Sequence, residues 1–212
     1  MSKKNQDFGN SLFDNLESLE SLEYILESKK VKIEPKTVKK NKPCKEIQQN
    51  IVPNKTGESQ KKYDFTLFCD GASRGKPPGN SSCGMVLFDK RFVVSNGQID
   101  ILELTEPIWR KGQKIGTTTN NIAEWKALIL GLEYVLEKFK NSLDKINLQV
   151  LLDSNLVVQQ FNKKWKVKDP NLKLLSQKSQ KLAIQIPNIS CTHIYRENNF
   201  LADKMANLAL DE

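Results

Sequence analysis

In the stretch TTTNNIAEWKALILGLEYVL, residues 117 to 136, hydroxyls and two amides run into an apolar helix that carries a glutamate. Steps of three and four from Glu124 reach Ala127, Leu128, Gly131 and Val135, so the carboxylate heads the stripe that packs inward. Burying an ionised carboxylate costs several kcal/mol without a partner, and a helix N-terminus returns only about 0.3–1 kcal/mol. Something else must face Glu124. Three more acids stand at comparable places: Asp70 closes the apolar run FTLFC before a glycine turn, Asp153 closes INLQVLL, and Asp203 lies in the first turn of the last helix. Glu124 itself is placed in the first turn of its helix.

Strand C-termini and helix N-termini of an α/β sheet collect on one edge, where ligands bind, so the four positions are expected to converge. Four acids at one site repel each other, and the cluster is stable only with cations in it. Hard oxygen ligands without cysteine or histidine select Mg²⁺, with Mn²⁺ as a substitute, over zinc. Two such ions about 3.5–4 Å apart activate water and stabilise a leaving oxygen in phosphodiester cleavage. Asp70, Glu124, Asp153 and Asp203 are therefore the candidate metal ligands and catalytic residues. Taken singly, each acid would pass as a helix cap or turn residue.

The elements that must position them follow from periodicity. YDFTLFCDGAS alternates as a strand, RGKPPGN is a turn, and CGMVLFD and FVVSNGQIDIL read as two more strands. A helix runs from about Asn121 to Phe139, and INLQVLLDS is a strand. NLVVQQFN is a short helix, DPNLKLLSQKSQKLAIQI a proline-initiated helix, ISCTHIYR a strand and FLADKMANLAL a closing helix. This order predicts a mixed α/β fold: a five-stranded sheet, an antiparallel meander extended by parallel strands, with helices on its faces.

With the elements in place, four segments become recognisable: DGASRG at 70–75, TNNIAEWKAL at 119–128, DSNLVV at 153–158 and RENNFLADKMANLAL at 196–210. In that order they resemble the signature segments of type 1 ribonuclease H, and the resemblance covers about Tyr63 to Asp211. It implies the ribonuclease H fold and Mg²⁺-dependent hydrolysis of the RNA strand of an RNA–DNA hybrid, leaving 5′-phosphate and 3′-hydroxyl ends. It also implies that Glu124 lies beside the 2′-hydroxyl next to the scissile phosphate, which distinguishes RNA from DNA. Asn120, Asn121 and Asn155 match residues that read the hybrid through its minor groove, their amides able to donate and accept at once. Thr119 matches a contact to a DNA phosphate, and Ser73 with the backbone at Gly71 falls where the RNA strand passes. Turn and cap chemistry is the competing account of these amides.

The sequence departs from the family pattern in two places. FNKKWKVKDPNLKLL, with Trp165 and four lysines around it, is too short for the full basic protrusion of bacterial members, and Asp169 stands where an asparagine contacting DNA phosphate is expected. His193, the one histidine of the chain, falls ten residues before Asp203. No glycine-rich loop separates the two, and THIYRENN reads as a strand running directly into a turn, which keeps His193 in the strand.

Outside that domain the texture changes. Residues 1–62 hold about six acids against two lysines before Lys29, then about eleven lysines against three acids up to Lys62. The expectation is a largely disordered tail, with an acidic amphipathic helix at about 11–28 that could dock a protein partner and a basic linker at about 29–62. Residues 63–212 form the catalytic domain. A net charge of +8 suits a polyanionic partner such as a hybrid, and 38% hydrophobic residues suffice for one core. The chain offers neither a membrane-length apolar run nor the apolar core of a signal peptide at its start, so an intracellular monomer is expected. Four cysteines without CxxC spacing are expected to be reduced thiols. The rival reading is a ribonuclease H fold of weak or no activity that serves as a nucleic-acid-binding or scaffold protein.

Overall fold

Alternation in the first strand already separates two cores. In β1 (Tyr63–Arg74), Leu67 and Cys69 face one side of the sheet and Phe68 the other. β2 (Gly79–Phe88) repeats the division, with Cys83, Met85 and Leu87 on the first side and Val86 and Phe88 on the second. This is a computed structural model, and it describes residues 63–99 and 106–212. The acidic segment at about 11–28 and the basic segment at about 29–62 lie outside the described residues.

Five strands form one sheet in the order β3-β2-β1-β4-β5, with β3 at Trp109–Thr118, β4 at Ile146–Leu152 and β5 at Ile189–His193. β1, β2 and β3 are antiparallel neighbours, while β4 lies parallel to both β1 and β5. Between β3 and β4 runs α1 (Asn120–Lys138), whose buried Trp125, Leu128, Leu132 and Val135 cover the first core. After β4 come α2 (Asn155–Phe161) and α3 (Pro170–Ala183), the latter packed on α1. The closing helix α4 (Phe200–Asp211) covers the second core with Ala202 and Met205. It lies directly on β2: a Cβ at Gly84 would stand 1.9 Å from the carbonyl oxygen of Ala202, so only glycine admits the helix there. Among the described residues no helix is long and apolar enough to cross a membrane. Cys69, Cys83 and Cys191 are free and buried, and burial raises all three thiols above their ordinary range.

The expected third strand, FVVSNGQIDIL, is corrected over residues 92–99; its last three residues, 100–102, lie outside the described residues. Residues 92–99 form an irregular loop that tightens into a turn at Asn96 and Gly97, with φ of 50° and 80°, closed by a bridge between Ser95 and Gln98. Phe92 is buried all the same. It packs edge-on against Phe68 and Phe88, with ring centres 5.6 and 5.3 Å away. The side-chain amide of Gln149 bonds the backbone of Phe92 at both its N–H and its C=O, each at 3.1 Å. A side chain thus does for Phe92 what a neighbouring strand would do. The true third strand is WRKGQKIGTT, an edge strand in which only Thr118 is fully buried.

Candidate metal centre and cleft

Two of the four acids are set side by side by strand register. The parallel ladder between β1 and β4 pairs Leu67 with Val150 and Phe68 with Leu151. Two residues further on, the pleat returns to the same side, so Asp70 and Asp153 stand level and point the same way. β4 ends at Leu152, but β1 continues to Arg74 paired with β2, so Asp70 lies within its strand and not at the end expected from sequence.

Glu124 arrives from the opposite face. Thr119 caps α1 by accepting a hydrogen bond from the Ile122 amide at 3.4 Å, and the helix begins at Asn120. That makes Glu124 the fifth residue of the helix, just beyond the first turn in which it was expected. Its inward stripe is as read: Ala127, Leu128, Gly131 and Val135 are all buried. The backbone of α1 crosses β1 so closely that a Cβ at Gly71 would lie 2.1 Å from the Glu124 nitrogen. Through that gap the Gly71 amide donates to Glu124 Oε2 at 3.2 Å.

Carboxylate oxygens of Asp70, Glu124 and Asp153 come within 4.8 Å of one another. Asp70 is 4% and Glu124 5% exposed. Burial, then the charges of Asp153 and Asp203, pushes the Asp70 carboxyl from its ordinary 3.8 up to about 7, against an opposing pull from Arg196. Burial first, then Asp70 and Asp153, holds Glu124 well above the ordinary carboxylate range, with the Gly71 amide and Arg196 opposing. Among the described residues no ion pair reaches any of these three acids. A cation is the partner that relieves all three at once, and an all-oxygen donor set fits a hard divalent ion.

Asp203 stands beside this trio. It occupies the first turn of α4, where Arg196 Nη2 donates to its Oδ1 at 3.0 Å and Asn207 Nδ2 donates to its Oδ2 at 2.9 Å. Its charge is felt at Asp70, but its oxygens are already engaged and it falls outside the 4.8 Å group. The gathering expected of four acids is met by three, with the fourth adjoining.

The trio opens into a cleft of about 260 Å³ lined also by Gly71, Ser73 and Asn120, together with Arg74, Arg196 and Asn207. Ser73 donates to the Thr118 carbonyl at 3.0 Å, tying β1 to the end of β3 just ahead of α1. Asn121 is exposed at the same helix start, and Asn155 is exposed at the start of α2, where it accepts from Gln159 at 3.0 Å. Thr119, Asn121 and Asn155 do not line this cleft. His193 ends β5, as its strand reading requires, and does not line it either. Asp169 accepts from the Leu172 amide at 2.9 Å and caps α3.

Sequence reasoning passed over the side chains that hold these acids. Asn207 bonds Asp203 and accepts from Arg74 Nη2 at 3.0 Å, while Arg74 also pairs with Asp211. Asn199, fully buried, donates to Asp153 Oδ1. The sequence signals were the Asn198-Asn199 doublet ahead of α4, which reads equally as a helix cap, and the i, i+4 spacing of Asp203 and Asn207.

Comparison with known proteins gives this geometry its relatives. A family profile described as reverse transcriptase-like matches residues 68–209. Among related sequences, a ribonuclease HI of Halobacterium salinarum is 36% identical over 145 residues, 68% of this chain and 63% of that protein. A bifunctional protein of Mycobacterium tuberculosis is also 36% identical, over 144 residues, 67% of this chain and 34% of its own. The chain thus spans about a third of the length of the mycobacterial relatives it matches. Among solved structures, the RNase H1 of Halobacterium salinarum superposes with a TM-score of 0.58 at 32% identity, covering 70% of this chain and 98% of that one. LC11-RNase H1, isolated from compost, superposes at 0.60 and 33% identity over 72% and 96%. The same protein in complex with an RNA/DNA hybrid superposes at 0.59, with 33% identity over 69% and 96%.

Proposed function

The chain belongs to the type 1 ribonuclease H family, and on that premise we propose that it is an endoribonuclease cutting the RNA strand of RNA–DNA hybrids. The observation that carries this reading is the meeting of Asp70, Glu124 and Asp153, drawn from two strands and a helix, within 4.8 Å at the floor of an open polar cleft. Asp70, Glu124 and Asp153 hold Mg²⁺, or Mn²⁺ in its place, and Asp203 completes the set once Arg196 yields or shares its oxygen. When bound, a pair of such ions supplies an activated water and a stabilised departing oxygen, giving 5′-phosphate and 3′-hydroxyl ends.

The chain's own residues do the rest. Burial raises the energy of the charged trio in the free protein, so ion binding is favoured by relief of repulsion. Gly71 fixes one Glu124 oxygen by its amide and leaves the other toward the cleft, beside the 2′-hydroxyl of the RNA. Asn120 and Ser73 line the path of the hybrid, and Asn121, Asn155 and Thr119 extend it outward along the helix starts. Amides there donate and accept at once, which suits 2′-hydroxyls and base edges in a minor groove. The LC11 relative whose structure includes an RNA/DNA hybrid supports this substrate. The reading carries with it an intracellular protein acting as a monomer.

A labelled hybrid incubated with the full chain and Mg²⁺ tests the proposal. Cleavage within the RNA strand is expected, with single-stranded RNA and duplex DNA left intact. Asp70→Asn should abolish the cut while leaving folding and hybrid binding nearly unchanged. Absence of any cut by the folded wild-type chain, or undiminished cutting by Asp70→Asn, refutes it and leaves the scaffold reading.

A further inference from the structure

Asp153 differs from its two neighbours in how it is held. It lies just past the end of β4, where no strand ladder fixes it. Apart from the neighbouring Asp70 carboxyl, the side chain that reaches it is Asn199, whose Nδ2 donates to Asp153 Oδ1 at 2.9 Å. The same nitrogen group donates to the Cys69 carbonyl, also at 2.9 Å, one residue before Asp70. A single amide thus ties the side chain of one acid to the backbone that carries the next. Both partners are acceptors, so the amide nitrogen must be the atom that faces them.

Three features say that the position is specified by this task. Asn199 is 0% exposed, and its Oδ1 has no hydrogen-bond partner among the described residues. A buried amide with an idle carbonyl is costly, and such a cost persists where the donating end does something needed. Asn199 is also held on its own side. Its neighbour Asn198 donates to the Gly97 carbonyl and to Gln98 Oε1, each at 3.1 Å, and the Tyr195 amide donates to the Gly97 carbonyl at 2.8 Å. The turn at Ser95–Gln98, which the proposed reaction leaves unused, therefore anchors the segment from which Asn199 reaches inward.

We propose that Asn199 is a positioning residue for the divalent site: it fixes one oxygen of Asp153 so that the other is presented to the ion, and sets the spacing between Asp153 and Asp70. This rests on the reading of the site as a metal centre. Outer partners of metal ligands typically contribute about 10–100-fold to metal affinity. Removing the amide should accordingly weaken ion binding without touching the hybrid.

The experiment uses the full chain and Mn²⁺ alone, titrated by calorimetry, beside Mg²⁺-dependent cleavage kinetics. Asn199→Ala is expected to bind Mn²⁺ about 10-fold more weakly. Its kcat should recover at high Mg²⁺ while KM for the hybrid stays within about twofold, a split that loss of fold alone would not give. A folded Asn199→Ala whose Mn²⁺ isotherm overlays that of the wild type overturns the inference. The wild-type protein provides a second reading independent of any variant: the Nδ2 protons of Asn199 should shift in NMR spectra as Mg²⁺ is added, with the midpoint of ion binding. Resonances that stay still through that titration overturn it equally. If the wild type neither binds Mn²⁺ nor cuts, the metal-centre reading itself has failed; if it does both and Asn199→Ala matches it, only the role of Asn199 has.

Discussion

Asp203 and the trio of Asp70, Glu124 and Asp153 are all carboxylates at one cleft, yet they are held by opposite means. Asp203 is neutralised: a guanidinium holds one oxygen and an amide the other, and its side chain is 29% exposed. The trio receives only neutral donors, the Gly71 amide at Glu124 and the Asn199 amide at Asp153, and two of its members are almost fully buried. A protein that needed only rigidity would have paired all four. Three acids gathered in the interior without an ion pair of their own must hold protons or cations there, while the fourth waits outside with a guanidinium of its own.

The sharpest way to break this contrast is to neutralise one acid from each group. Glu124→Gln removes a proposed ligand from the trio and should lower hybrid cleavage by more than about 100-fold, because even outer partners of metal ligands cost 10–100-fold. Asp203→Asn keeps the Asn207 contact and gives up an acid already shared with Arg196, so a smaller loss, about 10-fold, is expected. Steady-state rates at saturating Mg²⁺ measure both. Equal losses would mean that the four act as one set.

The same contrast governs stability in the absence of ions. A folded-state value of about 7 for Asp70, against its ordinary 3.8, means that the native protein keeps a proton the unfolded chain has released. Stability of the metal-free protein should therefore fall as pH rises from about 4 to about 7 and level off above. Glu124, raised in the same direction, adds to the slope. The Asp70 shift alone corresponds to about 4 kcal/mol, so the expected decrease in Tm is of order 10–15 °C, at about 2–4 °C per kcal/mol for a domain of this size. Mg²⁺ at pH 8 should restore most of it by binding the native state, and Glu124→Gln should flatten the profile. A flat profile in the metal-free wild type would show that the trio finds compensation elsewhere.

Most of this arrangement was legible beforehand, and the exceptions share a cause. β1, β2 and β4 announce themselves because their apolar residues alternate toward two cores, β5 because Ile189 and Cys191 alternate toward the first, and α1 because one face of it is buried from Ala123 to Val135. β3 hides because an edge strand buries little: WRKGQKIGTT carries Arg110, Lys111 and Lys114 along a length where only Thr118 is enclosed. FVVSNGQIDIL misled through two buried anchors, Phe92 and Ile99, although Asn96-Gly97 between them is the dipeptide of a tight turn. The acids were readable as a group because each was expected where an element ends or begins, although Asp70 lies inside β1 and Glu124 just beyond the first turn of α1; the level placement of Asp70 and Asp153 depends on a register that no local pattern specifies. Asn199 was invisible for the same reason, whereas Asn207 stands one helical turn after Asp203 and was open to reading from its spacing. Asn199 meets Cys69 from 130 positions away, and nothing near it in sequence indicates that partner.

Gly71 offers a test of how tightly the trio depends on backbone fit. A methyl group there would need Glu124, or the helix carrying it, to move, since the nitrogen lies 2.1 Å from the position a Cβ would take. Gly71→Ala should cost about 1–3 kcal/mol in urea unfolding, the range for overpacking a filled interior, and should depress cleavage further than the stability loss explains. Wild-type activity in a destabilised Gly71→Ala protein would separate the helix–strand contact from the chemistry.

The smallest effect concerns an acid that lies outside both groups. Asp169 stands where the family resemblance leads one to expect a substrate contact, yet its carboxylate accepts from the Leu172 amide at the start of α3, ahead of Pro170. Exchanging such a cap for alanine costs about 1 kcal/mol. Asp169→Ala should therefore lower the urea midpoint slightly while kcat and KM for the hybrid remain at wild-type values. Asp169→Asn should keep the cap and behave as wild type in unfolding, because an amide oxygen accepts the same hydrogen bond. If Asp169→Asn instead lowered KM severalfold, the position would be a phosphate contact weakened by its negative charge, and the division between acids that hold ions and acids that hold helices would have to be redrawn at this residue.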